Sequence, residues 1–276
     1  MHKISIYLLL LILSACTPNL DYEIRGYTEK IIVQGSIADG EYPRIYLSLN
    51  VPLSEPIDSA TILKKVIRTA KVTISDGINT EILTSKWERE HFPPYVYVGT
   101  ELKGKAGVRY YLTVEYGGYK LTGQTGIPES VDVQNFTFTP VNGRDSLRIL
   151  GVRIQMSENE KKGYLVHTKL HTDKKFHGTR IVYNEQLNLS GLQRFVISPQ
   201  HPSSTGGYFR VGDTIRIKVS AIDSTSTVFF GGLYEKGGVG SDIFTGQSKS
   251  LNSNISKPGF GVWYGAATSY YQLIVN

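Results

Sequence analysis

Gly212-Asp213-Thr214-Ile215-Arg216-Ile217-Lys218-Val219-Ser220-Ala221 decides the fold class. Gly-Asp is a turn signal, and the residues after it alternate without a break. Ile215, Ile217, Val219 and Ala221 point to one side; Thr214, Arg216, Lys218 and Ser220 point to the other. Successive side chains leave a strand on opposite faces, so this is the pattern of a half-buried β-strand. Outward from it the same period recurs. Leu150, Val152, Ile154 and Met156 share a face, as do Tyr164, Val166, Thr168 and Leu170. Nearer the N-terminus, Tyr110, Leu112, Val114 and Tyr116 alternate, and Gly117-Gly118 turns that strand into the next one, from Tyr119 to Thr122. Ala70, Val72 and Ile74 run into Asp76-Gly77. Ile31, Val33, Gly35 and Ile37 run into Asp39-Gly40, and Ile45, Leu47 and Leu49 return, which reads as a hairpin. Tyr271, Leu273 and Val275 share one face of a terminal strand.

Only Ser224 to Glu235 breaks the period. Val228, Phe229, Leu233 and Tyr234 are spaced for one side of a helix, although Gly231 and Gly232 oppose it. Composition agrees with β structure: 18 Tyr and 28 Gly stand against 2 Met, and aromatic and turn residues suit strands joined by tight connections. The expected fold is all-β: two β-sandwich-like units of immunoglobulin or transthyretin-like build, with at most one or two short helices. Ile127-Pro128 closes the first block. The expected organisation is therefore an N-terminal sandwich over 29–128 and a C-terminal β-rich domain over 129–276.

The first residues are not part of that fold. Met1, His2 and Lys3 form a short basic stretch, and Ile4 to Leu13 is apolar. Ten residues are too few for a membrane-spanning helix, which needs about 20. They fit the hydrophobic core of a signal peptide. The run closes on Leu13-Ser14-Ala15-Cys16, an aliphatic residue, two small residues and a cysteine. This is the lipobox pattern, in which Leu13, Ser14 and Ala15 are read by the signal peptidase and the Cys16 thiol receives a diacylglyceryl group. The expectation is a signal peptide over 1–15 and a lipidated tether over 16–28. Cys16 is the sole cysteine, so no intramolecular disulfide is available and stability must come from packing. Two or more acyl chains hold a protein stably on a membrane. The membrane is then a partner through the anchor alone.

The formal charge of +6 loses one with Lys3. The cations are scattered, with pairs at Lys64-Lys65, Lys161-Lys162 and Lys174-Lys175, and nothing is dense enough for nucleic acid. There is no phosphate-binding loop, nucleophile elbow, zincin helix or paired-cysteine metal site. His167 and His171 fall on the same side of a strand, with His177 near. Lys169 sits between them, and its charge opposes a cation, so they read as exposed histidines on a polar sheet face and no metal site is expected. No cofactor and no enzyme activity are expected either. Phe92, Tyr95 and Tyr97 gather around Pro93-Pro94. Gly259, Gly261 and Gly265 flank Phe260, Trp263 and Tyr264. Glycine permits fixed loop shapes, and fixed loops carrying aromatics are common recognition surfaces. Trp263 and Tyr264 are therefore the expected contact surface, with core packing as the competing account.

Several stretches together resemble one family. They are Lys30-Ile31-Ile32-Val33-Gln34-Gly35-Ser36-Ile37, Ala70 to Gly77, Gly107 to Val114, Phe209-Arg210-Val211-Gly212-Asp213-Thr214, Asn252-Ser253-Asn254-Ile255 and Gly259 to Gly265. Their order resembles the Bacteroidota lipoproteins grouped as domain of unknown function 4249, over nearly the whole mature chain. Members of that family lie beside genes for outer-membrane transporters of the TonB-dependent class. The resemblance thus implies an outer-membrane lipoprotein that is a non-enzymatic accessory or partner of such a transporter, and it supplies no catalytic residues. The alternative is a surface module that binds glycan or peptide independently. The segment after Cys16, Thr-Pro-Asn-Leu-Asp, lacks the acidic run linked to surface export in this phylum. That leaves both the periplasmic and the outward leaflet open.

Overall fold

The computed structural model describes residues 28–52, 54–89, 91–156, 162–183, 191–197, 207–235 and 251–276. Leu13, Ser14, Ala15 and Cys16 lie outside these residues. The described chain is mostly β, with two short helices. Three sheets carry the architecture.

The largest sheet has eight strands. In chain order they are β1 (Ile31–Ala38), β2 (Arg44–Leu49), β5 (Thr84–Trp87), β6 (Tyr95–Val98), β11 (Lys162–Leu170), β12 (His177–Tyr183), β15 (Thr214–Asp223) and β16 (Phe260–Ile274). Their spatial order is β12-β11-β15-β16-β1-β2-β6-β5. A second sheet comprises β3 (Lys71–Ser75), β4 (Thr80–Ile82), β7 (Arg109–Tyr116) and β8 (Tyr119–Gly126), ordered β4-β3-β7-β8. The third contains β9 (Val133–Val141), β10 (Arg144–Met156), β13 (Gly191–Ile197) and β14 (Phe209–Arg210), gathered around β10. The helices are α1 (Ser59–Lys65) and α2 (Ser224–Glu235), the second on the segment whose spacing predicts it.

The expected turns are where the sequence puts them. β1 and β2 pair antiparallel across Asp39-Gly40, and β7 and β8 across Gly117-Gly118, where both glycines have positive φ. β3 and β4 turn at Asp76-Gly77, whose Asp76 carboxylate accepts the Ile78 and Asn79 amides. The alternating apolar residues face inward. Val72, Ile74, Leu112, Val114 and Leu121 of the second sheet meet Val33, Ile37, Ile45 and Leu47 of the large one. Leu150, Val152 and Ile154 of the third sheet meet Ile215, Ile217 and Val219 in the same way.

Residue 129 separates the two small sheets but not the large one. β16 is the reason. Its first half runs parallel to β1, from Ile32 opposite Phe260 to Ala38 opposite Ala266. Its second half runs antiparallel to β15, from Ile222 opposite Ala266 to Thr214 opposite Ile274. One 15-residue strand therefore passes from beneath the second sheet to beneath the third. The outer face of the large sheet is covered by α2. Phe229 and Leu233 pack on Ile32, Leu251, Phe260 and Val262, and Phe230 packs on Tyr264. Asp223 caps this helix by accepting the Ser226 amide through its side chain.

Candidate functional site

The glycine-flanked aromatics occupy the start of β16, and the structure corrects the reading of this segment as a recognition loop. Trp263 is fully buried, at 0% exposure, and its indole N–H donates to the Tyr110 carbonyl at 3.3 Å. It cannot contact a partner. Tyr264, on the other face, is half-buried and stands edge-on to Phe230 at 5.1 Å. The glycines serve close packing. A Cβ on Gly35 would lie 2.8 Å from the Trp263 ring, so β1 leaves the indole a slot. Gly261 has φ +132, and a Cβ there would lie 1.9 Å from the Val33 carbonyl oxygen.

The same segment solves an edge problem. Before Ala266, β16 has β1 on one side and, among the described residues, no strand on the other. Three alternate amides on that open edge are each met by a side-chain oxygen. Gly261 N–H donates to Ser253 Oγ at 3.1 Å, Trp263 N–H to Asn254 Oδ1 at 2.9 Å and Gly265 N–H to Thr125 Oγ1 at 2.8 Å. Asn254 Nδ2 donates in return to the Trp263 carbonyl at 2.6 Å and to the Gln124 carbonyl at 3.2 Å. Ser256 exchanges bonds with Thr122, its amide donating to the Thr122 carbonyl and its Oγ accepting the Thr122 amide. Thr125 Oγ1 donates to Asp223, which ties the clamp to the cap of α2. Buried backbone donors must be paired, and here side chains do the work of a missing strand. The Asn-Ser-Asn-Ile stretch is thus structural. Its pattern was visible in the sequence, but its partners were not.

Polar groups gather elsewhere on the outer face of the large sheet, in two sets. In the first, Arg44 pairs with Glu88, and Tyr46 donates to the same carboxylate at 3.1 Å. His91 stacks on Tyr46 with ring centres 3.9 Å apart, and its Nδ1 donates to the Pro93 carbonyl. Burial acts to raise the Glu88 pKa, but Arg44 and Tyr46 outweigh it and hold the carboxyl below its usual range. In the second set the register aligns His167, Lys218 and Tyr270 across β11, β15 and β16. The Lys218 ammonium lies 5.9 Å from the Tyr270 ring centre, and the Tyr270 hydroxyl donates to Glu41 at 3.3 Å. Burial, and after it the Glu41 charge, pushes Tyr270 up to about 12. Burial lowers Lys218 as well.

The histidines therefore do not form the exposed set expected. β11 ends at Leu170, which leaves His171 in the following turn rather than on the strand with His167. His167 is held at about 4, by burial first and then by Lys218. Its Nδ1 is buried with no hydrogen-bond partner among the described residues. The Pro93-Pro94 aromatics divide too. Tyr97 is buried and its hydroxyl donates to the Ile67 carbonyl, whereas Phe92 is exposed.

Fold and site together define a two-lobed all-β module in which one long strand serves both lobes and the most distinctive sequence is turned inward. The chain belongs to the family described as domain of unknown function (DUF4249), whose model matches residues 16–272. No curated protein matches it.

Proposed function

We propose that this protein is a lipid-anchored accessory of the outer membrane that binds rather than catalyses, and that its partner is a transporter of the TonB-dependent class. The observation that carries the reading is the Leu13-Ser14-Ala15-Cys16 lipobox at the end of a short apolar run. The described residues begin at Thr28, twelve positions after Cys16. Asn50 accepts the Lys30 amide and donates to the Thr28 carbonyl, so the chain is gripped from Thr28 onward. A short tether followed at once by a firmly held sheet suits a module kept near a membrane.

Two measurements test this. Cys16→Ser should abolish lipid labelling and release the protein from membranes or leave it unprocessed; normal labelling of that variant would refute the anchor. Pull-down of the full chain from detergent-solubilised membranes should recover a transporter. Recovery of none, together with direct binding of glycan or peptide, would favour an independent surface module.

A further inference from the structure

We propose that the end of the large sheet where the chain enters the fold rests on an anionic lipid surface, through Ile57, Leu63 and Trp87 interleaved with Lys64 and Arg68. The inference builds on the lipid-anchor reading and adds an orientation to it.

Its location comes from the topology. β1 begins at Ile31, opposite Leu49, the last residue of β2. Beyond Leu49 the chain makes an excursion through residues 50–52 and 54–65, including α1, and returns along β2, with Val66 bridged to Ser48 and the Ile67 amide bonded to the Leu47 carbonyl. This excursion therefore projects past the same end of the sheet from which Thr28 leads back toward Cys16. Only eleven residues separate Cys16 from Thr28. At full extension they reach about 40 Å, so an acylated Cys16 keeps this end close to the bilayer.

Its chemistry fits the bilayer boundary. α1 buries Ile62 and turns Leu63 and Lys64 outward. Ile57 and Leu63 are 40% and 37% exposed, and Trp87 is 59% exposed. Trp87 stands edge-on to Tyr95 at 5.0 Å, and the Arg68 guanidinium covers the Tyr95 ring at 4.9 Å. Tryptophan, tyrosine and long cationic side chains are the groups that settle at a membrane interface, where apolar and wet surroundings meet. The neighbouring acids are engaged: Glu55 pairs with Lys65, and Asp58 accepts the Thr61 amide. Lys64 and Arg68 have no carboxylate within ion-pair distance among the described residues. Lys30, Lys64, Lys65 and Arg68 still outnumber Glu29, Glu55 and Asp58, so this end carries a small positive excess.

The chain carries just two tryptophans, which makes the test direct. Trp263 is buried in the core and Trp87 is exposed. The membrane-extracted protein is first checked for acylation by intact mass, then mixed with vesicles of phosphatidylcholine and phosphatidylglycerol carrying brominated acyl chains. Emission from Trp87 should shift to the blue and be quenched. Trp87→Phe, left with Trp263 alone, should lose most of that quenching. Leu63→Glu should weaken it, whereas Ile78→Glu should not. Ile78 is fully exposed at the β3–β4 hairpin, on the side of Tyr110, whose hydroxyl accepts the Lys105 amide near the opposite end of β1. Acylated protein with equal quenching in the wild type and Trp87→Phe would overturn the orientation and leave the anchor standing. Quenching of Trp87 in protein that proves unacylated would overturn the anchor and keep the face. Neither acylation nor quenching would overturn both.

Discussion

Trp263→Ala is expected to cost about 3–5 kcal/mol, because the indole is wholly buried in a slot that Gly35 leaves open. Urea unfolding of the variant reads this directly. An effect below about 1 kcal/mol would mean that the site collapses around the void. His167 gives a second prediction at this scale. Free in the unfolded chain it titrates near 6.5, and in the fold near 4. Between those values the unfolded chain holds a proton that the folded chain lacks, so stability rises with pH across the window. It should be complete above pH 6.5 and fall by up to about 3 kcal/mol as pH drops toward 4. His167→Gln should flatten that slope, as measured by the urea midpoint at each end of the window. An unchanged slope would mean that His167 is already solvated.

At the scale of the element, β16 depends on side chains that stand in for a neighbouring strand. Asn254→Ala removes the acceptor for the Trp263 amide and the donor to the Trp263 carbonyl, leaving a largely enclosed edge unpaired. The expected loss is about 1–3 kcal/mol, the usual penalty for stranded buried groups. Hydrogen exchange at the Trp263 amide should quicken at the same time. Asn252→Ala, at an exposed position two residues away, should stay within about 0.5 kcal/mol of the wild type. Equal exchange in both variants would show that the edge is guarded by something other than Asn254. Helix α2 illustrates the reverse case. Its Gly231 and Gly232 disfavour a helix, yet Phe229, Phe230 and Leu233 bury against the sheet, and tertiary packing overrides propensity.

For the whole molecule, the shared strand predicts cooperativity. Because β16 pairs with β1 under the second sheet and with β15 under the third, neither lobe can open without disturbing it. Far- and near-ultraviolet circular dichroism should report one coincident unfolding transition. Val72→Ala in the first lobe and Val152→Ala in the second should each move that same transition. Two resolved steps, each sensitive to only one of the variants, would show that the lobes fold apart and that β16 is a linker rather than a common element.

Fold class, strand faces and turns are legible in the linear chain. Period-two alternation and turn glycines are local properties, readable wherever one face is buried and the other is wet, as at Ile215 to Ala221 or Val72 and Ile74. The sequence also carries the Leu13-Ser14-Ala15-Cys16 pattern on which the proposed lipid anchor rests, and a pattern of that kind is linear. The remaining features arise from contacts between distant parts of the chain. In sequence, Phe260 to Gly265 reads as a fixed loop because its glycines permit backbone conformations that other residues resist. Those glycines are needed because β1 and the Trp263 ring approach too closely for a side chain at Gly35 or Gly261. No local pattern announces that a C-terminal strand will run parallel to the first strand, more than 220 residues away in the chain. Nor does one announce that Thr125, Ser253 and Asn254 will seal its open edge. Such pairings depend on which distant backbone groups are left without partners once the core has closed, and that is settled only in three dimensions.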